Sequence, residues 1–103
     1  SDTFNDILNS YKKNKRIDNI RIFSERWGIP INELNDFIEE TKNFRILDEY
    51  GRFDKLMTHS DLKKAIEYIS EKENRKVDRI KAIKAISDAL KEFLASGCME
   101  IND

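Results

Sequence analysis

The chain has 103 residues, 39% hydrophobic and 38% charged, with 19 basic against 20 acidic side chains, a net charge of −1, 3 Gly and 1 Pro. That length suits one domain, residues 1–103, with one core that buries roughly 65% of the unfolded surface. The near-neutral balance excludes nucleic-acid binding by bulk charge. The single cysteine, Cys98, excludes an internal disulfide, and no apolar run nears the ~20 residues of a membrane span.

Scarce Gly and Pro with abundant Glu, Lys, Ile and Leu favour helices. Phe4, Ile7, Leu8 and Tyr11 fall at i, i+3, i+4 and i+7, one face of a helix that Asp2 or Thr3 would cap. Its end is expected in the basic run "KKNKR", residues 12–16, where cations suit the C-terminal dipole. A second helix is expected from Asp18, as N-cap, with Ile20, Phe23 and Trp27 on its inner face. Gly28 then ends it and Pro30 prevents continuation.

A third helix, capped by Asn32 and carrying Leu34, Phe37 and Ile38, should end near Asn43 or Phe44. Residues 45–57, "RILDEYGRFDKLM", lack a helical period and suggest a short irregular or two-stranded excursion around Gly51. Thr58 or Ser60 should cap a fourth helix with Leu62, Ile66 and Ile69 inward. A last helix, from about Val77 to Ser96, should face the core with Ile80, Ile83, Ile86, Leu90, Phe93 and Leu94, widened by Ala82, Ala85 and Ala89. Gly97 would terminate it. The expected fold class is all-α, a compact bundle of about five helices.

"FSERWGIPINELNDFIEE", residues 23–40, reads as helix, turn, helix, and raises a DNA-binding helix-turn-helix. The second of these helices carries Glu33, Asp36, Glu39 and Glu40 against the one cation Lys42. Carboxylates repel phosphate, and Asn32 and Asn35 do not offset them. A stand-alone helix-turn-helix-like DNA-binding regulator is therefore the alternative reading. It would need two basic clusters to converge: Lys12, Lys13, Lys15 and Arg16, and a second built from Lys72, Arg75, Lys76, Arg79, Lys81, Lys84 and Lys91. All of these but Lys72 and Lys91 are the candidate contacts to a DNA backbone, in a salt-dependent and sequence-blind mode.

No residue set points to catalysis within the chain. His59, Ser60 and Asp61 are consecutive at a helix start and do not converge as a triad must. One histidine and one cysteine are too few for zinc. Around Gly51, Tyr50 and Arg52 stand where a calcium loop needs oxygen ligands. No glycine loop cradles a phosphate. No cofactor, metal or membrane partner is expected. With no secretory signal at its start, the chain is expected to be cytoplasmic. Trp27, Phe44, Tyr50 and Phe53 sit at turns, where burial is least assured. They are the candidate contacts to a protein partner, with two of the four expected to be buried.

From about Ile20 to Gly97 the layout resembles the extreme C-terminal helical region of type I restriction enzyme motor (R) subunits. The likeness lies in "RWGIPINELNDFIEE", in "DEYGRFDKL" and in the closing Lys-rich "RKVDRIKAIKAISDALKEFLASG". The resemblance implies a non-catalytic assembly module cut from a larger ATP-dependent DNA translocase and endonuclease, and Ser1 in place of an initiator Met fits an excised fragment. The parent would be a type I site-specific deoxyribonuclease whose catalytic motifs lie upstream. The module would dock the motor on the methyltransferase core and touch double-stranded DNA without sequence preference. The acidic third helix departs from that pattern and suits a protein partner better than DNA.

Overall fold

Helix α1 runs unbroken over Asp2–Trp27 in the computed structural model, which describes residues 2–71 and 77–96. Two helices meeting in the basic run were expected, and the correction has a geometric cause. No Gly or Pro interrupts residues 4–27, and Lys and Arg are strong helix formers. What changes is the phase of the apolar stripe. At 3.6 residues per turn, Phe4, Ile7, Leu8 and Tyr11 lie about 140° around the axis from Ile20, Phe23 and Trp27. A phase change needs no break when the core covers only one stripe. Asp18, expected as an N-cap, lies inside the helix and pairs with Arg21 at 3.4 Å.

The end of α1 follows the expected signal. Gly28 adopts φ 65°, and the Ile29 amide donates back to the Ser24 carbonyl at 3.0 Å. This is a Schellman closure, and it tucks Ile29 into the core. Helix α2, Ile31–Thr41, is capped by Pro30 rather than by Asn32. Pro30 has the extended backbone that an N-cap needs, φ −53° and ψ 136°, and its carbonyl accepts from the Leu34 amide at 3.0 Å. A short 3₁₀ turn, Lys42–Phe44, leads to Arg45 in the left-handed region at φ 55°.

The expected two-stranded excursion shrinks to one antiparallel bridge, Leu47 to Phe53. Asp48 and Asp54 amides donate to the Arg52 and Ile46 carbonyls at 2.7 and 2.9 Å. Ile46, Phe53 and Met57 anchor this segment in the core. Helix α3, His59–Glu71, opens on a reciprocal cap. Thr58 Oγ1 accepts from the Asp61 amide at 3.2 Å while Asp61 Oδ2 accepts from the Thr58 amide at 3.0 Å. Helix α4, Val77–Ser96, buries Ala82, Ile86, Ala89, Leu90 and Phe93. Ile80, expected inward, is 46% exposed because it lies about 140° around the helix from the buried stripe. Gly97 and Cys98 lie outside the described residues.

The described residues thus form an all-α bundle of four helices, one fewer than expected because α1 is continuous. Helices α2 and α4 each touch all the others, and α1 and α3 flank them. An aromatic chain crosses the centre: Phe53 meets Phe23 edge-on at 5.5 Å and Phe93 at 5.0 Å. Each such ring contributes roughly 1.5–3 kcal/mol by leaving water. A 26-residue helix is about 39 Å long, while the two shorter dimensions of the fold are 27 and 24 Å. The start of α1 therefore projects past the bundle as an arm. None of the described helices is long and apolar enough to cross a membrane.

Candidate functional site

The first basic cluster lies mid-way along α1, beneath the turn at residues 48–52. Lys12 Nζ donates to Glu49 Oε2 at 2.9 Å, and this bond holds the Lys12 ammonium above its ordinary pKa. Arg16 donates to the Asp48 carbonyl at 3.2 Å. Buried Asn19 donates from Nδ2 to the Tyr50 carbonyl at 2.8 Å. The turn is shaped by Asp48, whose Oδ1 accepts from the Tyr50 and Arg52 amides at 2.9 Å each. Its Oδ2 takes Arg52 Nε at 3.2 Å. Gly51 has φ 77°, and a Cβ there would stand 3.1 Å from the Arg16 carbonyl oxygen. Glycine is what lets the turn lie flat on the helix.

Part of the second cluster is engaged inside the bundle. Arg79, in the first turn of α4, ion-pairs with Glu40 and lies 3.8 Å from both Glu33 and Asp36. Those three acids sit at i, i+3 and i+7 of α2, so one face of that helix is committed to one guanidinium. Lys81, Lys84 and Lys91 are exposed along α4, as is Asp88. Lys72, Arg75 and Lys76 lie outside the described residues. Lys81 lines a cleft with Gly28 and Pro30. Lys13 stands fourteen residues, roughly 20 Å, before the end of α1 that Lys81 adjoins.

The four turn aromatics divide. Phe53 is buried; Trp27, Phe44 and Tyr50 are half-buried. Trp27 lies against Phe23 at 6.1 Å and Phe44 against Tyr68 at 5.3 Å. Tyr50 meets Tyr11 edge-on at 6.3 Å. One of the four is thus buried where two were expected, and the other three pack on neighbours. The apolar surface lies instead on the arm of α1. Phe4, Ile7 and Tyr11 are 63%, 65% and 53% exposed, with Leu8 half-buried beside them. Sequence reasoning read these residues as one face of a helix. The signal that the bundle leaves this face open is its phase offset from Ile20, Phe23 and Trp27.

At the inner end of the arm, Tyr11, Lys15, Asn19, Tyr50 and Arg52 line an open cleft of about 290 Å³. Lys15 Nζ stands 5.9 Å from the centre of the Tyr11 ring, and the Arg52 guanidinium 5.2 Å from that of Tyr50. No such order exists around His59 and Ser60, which are exposed, while the Asp61 carboxylate is spent on Thr58. Among the described residues no group of three His, Cys, Asp or Glu is placed to hold a metal ion. Sequence reasoning missed the buried role of Asn19, the part of Asp48 in shaping the turn, and the grip of α2 on Arg79. For the last, the i, i+3, i+7 acids were the available signal.

Comparison with known proteins places no relative beside this chain: no family model, curated protein or solved structure matches it significantly.

Proposed function

We propose that this chain is a non-catalytic helical assembly module whose role is to be bound by another protein. The observation that carries the reading is the arm of α1, where Ile7, Leu8 and Tyr11 form an apolar face that the bundle leaves largely uncovered. Single exposed apolar residues are ordinary, but a contiguous stripe at helical spacing is the form in which protein interfaces present themselves.

The parent of such a module is proposed from the resemblance alone: the motor subunit of a type I restriction enzyme, docked through this region on the methyltransferase core. The arm precedes the stretch that carries the resemblance. A DNA contact within that assembly would fall to exposed Lys13, Lys15, Lys81 and Lys84. The helix-turn-helix regulator has less support, because Arg79 of the second basic cluster is held by three acids of α2.

Size-exclusion chromatography of the chain mixed with a type I methyltransferase core tests the docking, with co-elution expected and separate elution overturning it. Fluorescence anisotropy with a labelled random-sequence duplex tests the class. No binding at low salt is expected. Micromolar binding that falls with salt by about 0.9 log unit per log unit for each phosphate contacted would replace the assembly reading with a DNA-binding one.

A further inference from the structure

We infer that the partner segment for the α1 arm is an acidic amphipathic helix of another protein, seated along Ile7, Leu8 and Tyr11 with its acidic end at the Tyr11–Tyr50 cleft. This deepens the assembly reading and rests on it. The stripe is straight, helical and about 12 Å long, since Phe4 to Tyr11 spans eight residues at 1.5 Å each. A surface of that shape fits the apolar face of another helix crossing at a shallow angle.

The charge at its inner end specifies what flanks that partner helix. Lys15 and Arg52 line the cleft, and Lys12 and Arg16 reach the same turn, against Asp48 and Glu49. The two carboxylates are already taken, Glu49 by Lys12 and Asp48 by Arg52 and the turn amides. The cleft thus carries an excess of positive charge beside an apolar track, and a partner with carboxylates flanking its apolar face complements both. The Lys15 ammonium has no carboxylate among the described residues, and the cleft beside it has room for a side chain.

A single-stranded nucleic acid is a poorer fit. Its bases need open ring faces, and here Lys15 lies over Tyr11 and Arg52 over Tyr50. The aliphatic outer part of the stripe has no counterpart in a nucleotide. A second copy of the chain is a poorer fit as well. At 100° per residue, the acids of the arm, Asp2 and Asp6, lie on the side of the helix away from the stripe. A second arm would therefore bring no carboxylate to the cleft.

The test uses a fluorescein-labelled synthetic helix with Leu at i, i+3, i+4 and i+7 and Glu on both flanks, and a twin with Lys in place of Glu. Anisotropy with the whole chain should give a dissociation constant on the order of tens of micromolar for the acidic peptide, as expected for so short a track. The basic twin should bind at least tenfold more weakly. Ile7→Glu should weaken the acidic peptide at least tenfold, and Lys15→Glu should narrow or reverse the preference between the two peptides. Circular dichroism checks that both variants stay folded.

Equal affinity for the two peptides overturns the proposal. So does unchanged affinity in Ile7→Glu, tighter binding of labelled oligo-dT than of the acidic peptide, or a dimer in sedimentation velocity that Ile7→Glu dissolves. Failure here with co-elution on the methyltransferase core intact removes the partner's chemistry and leaves the assembly reading. Separate elution from that core, with peptide preference intact, removes the suggested parent alone.

Discussion

The two ends of α1 are built from the same kinds of residue and meet opposite fates. Near its C-terminus, Phe23 is 3% exposed and packs edge-on against Phe53. Near its N-terminus, Phe4 is 63% exposed. Both belong to apolar stripes at helical spacing, and each stripe alone reads as a core face. The difference is rotational: the stripes point about 140° apart, so a bundle that covers one cannot cover the other. Periodicity shows that a face exists; its phase relative to the rest of the helix shows what that face meets.

The sharpest way to break this comparison is to make one substitution at both ends. Phe23→Ala should lower stability by about 3–5 kcal/mol, the ordinary cost of emptying a buried phenylalanine site. Phe4→Ala should stay within about 0.5 kcal/mol of the unaltered chain, as surface changes do. Urea denaturation followed by circular dichroism separates these outcomes. Similar losses at both positions would mean that the arm is packed in solution.

Between the two ends lies the seat of the 48–52 turn. Asn19→Ala should cost about 1–3 kcal/mol by stripping a hydrogen bond from the Tyr50 carbonyl. Gly51→Ala should cost roughly 1–2 kcal/mol, because a Cβ is disfavoured in the left-handed region and Arg16 crowds it further. Both should raise hydrogen exchange in the turn more than in α3.

A remote control sets the scale. Thr58→Ala should cost about 1 kcal/mol, the usual value of a lost cap. Its partner Asp61 is held below its ordinary 3.8 by the Thr58 amide and hydroxyl. A carboxyl depressed in the folded state stabilises above its unfolded pKa and stops doing so as pH falls through its folded one. The gap between Thr58→Ala and the unaltered chain should therefore be constant at neutral pH and narrow below 3.8, leaving the part due to the Thr58 hydroxyl on the Asp61 amide. A gap that widens in acid would assign the cap to another group.

Much of the fold was legible because its signals are local. Gly28 before Pro30 marks the end of α1, Thr58 with Asp61 marks the start of α3, and Ile86, Leu90 and Phe93 mark the buried face of α4. The readings that failed concern contacts distant in the chain. Lys12 and Arg16 looked like a helix terminus because their partners, Glu49 and Asp48, are more than thirty residues away. Asn19 gave no local sign of burial, since its reason for being inside is the Tyr50 carbonyl. Pro30 displaced Asn32 as a cap because proline already has the geometry that the position requires. In the candidate site, Tyr50 and the basic run were legible as residues and illegible as neighbours.

Seen mechanically, α1 is a beam with an overhanging arm and a clamp. The 48–52 turn grips it from Lys12 to Asn19, about 10 Å of its length, and the arm cantilevers about 15 Å beyond. A load on the arm bends the beam about that clamp, at the Gly51–Arg16 contact where there is no slack for even a methyl group. Force on the outer stripe is thus borne first by the turn, whose bridge residue Phe53 touches Phe93 of α4.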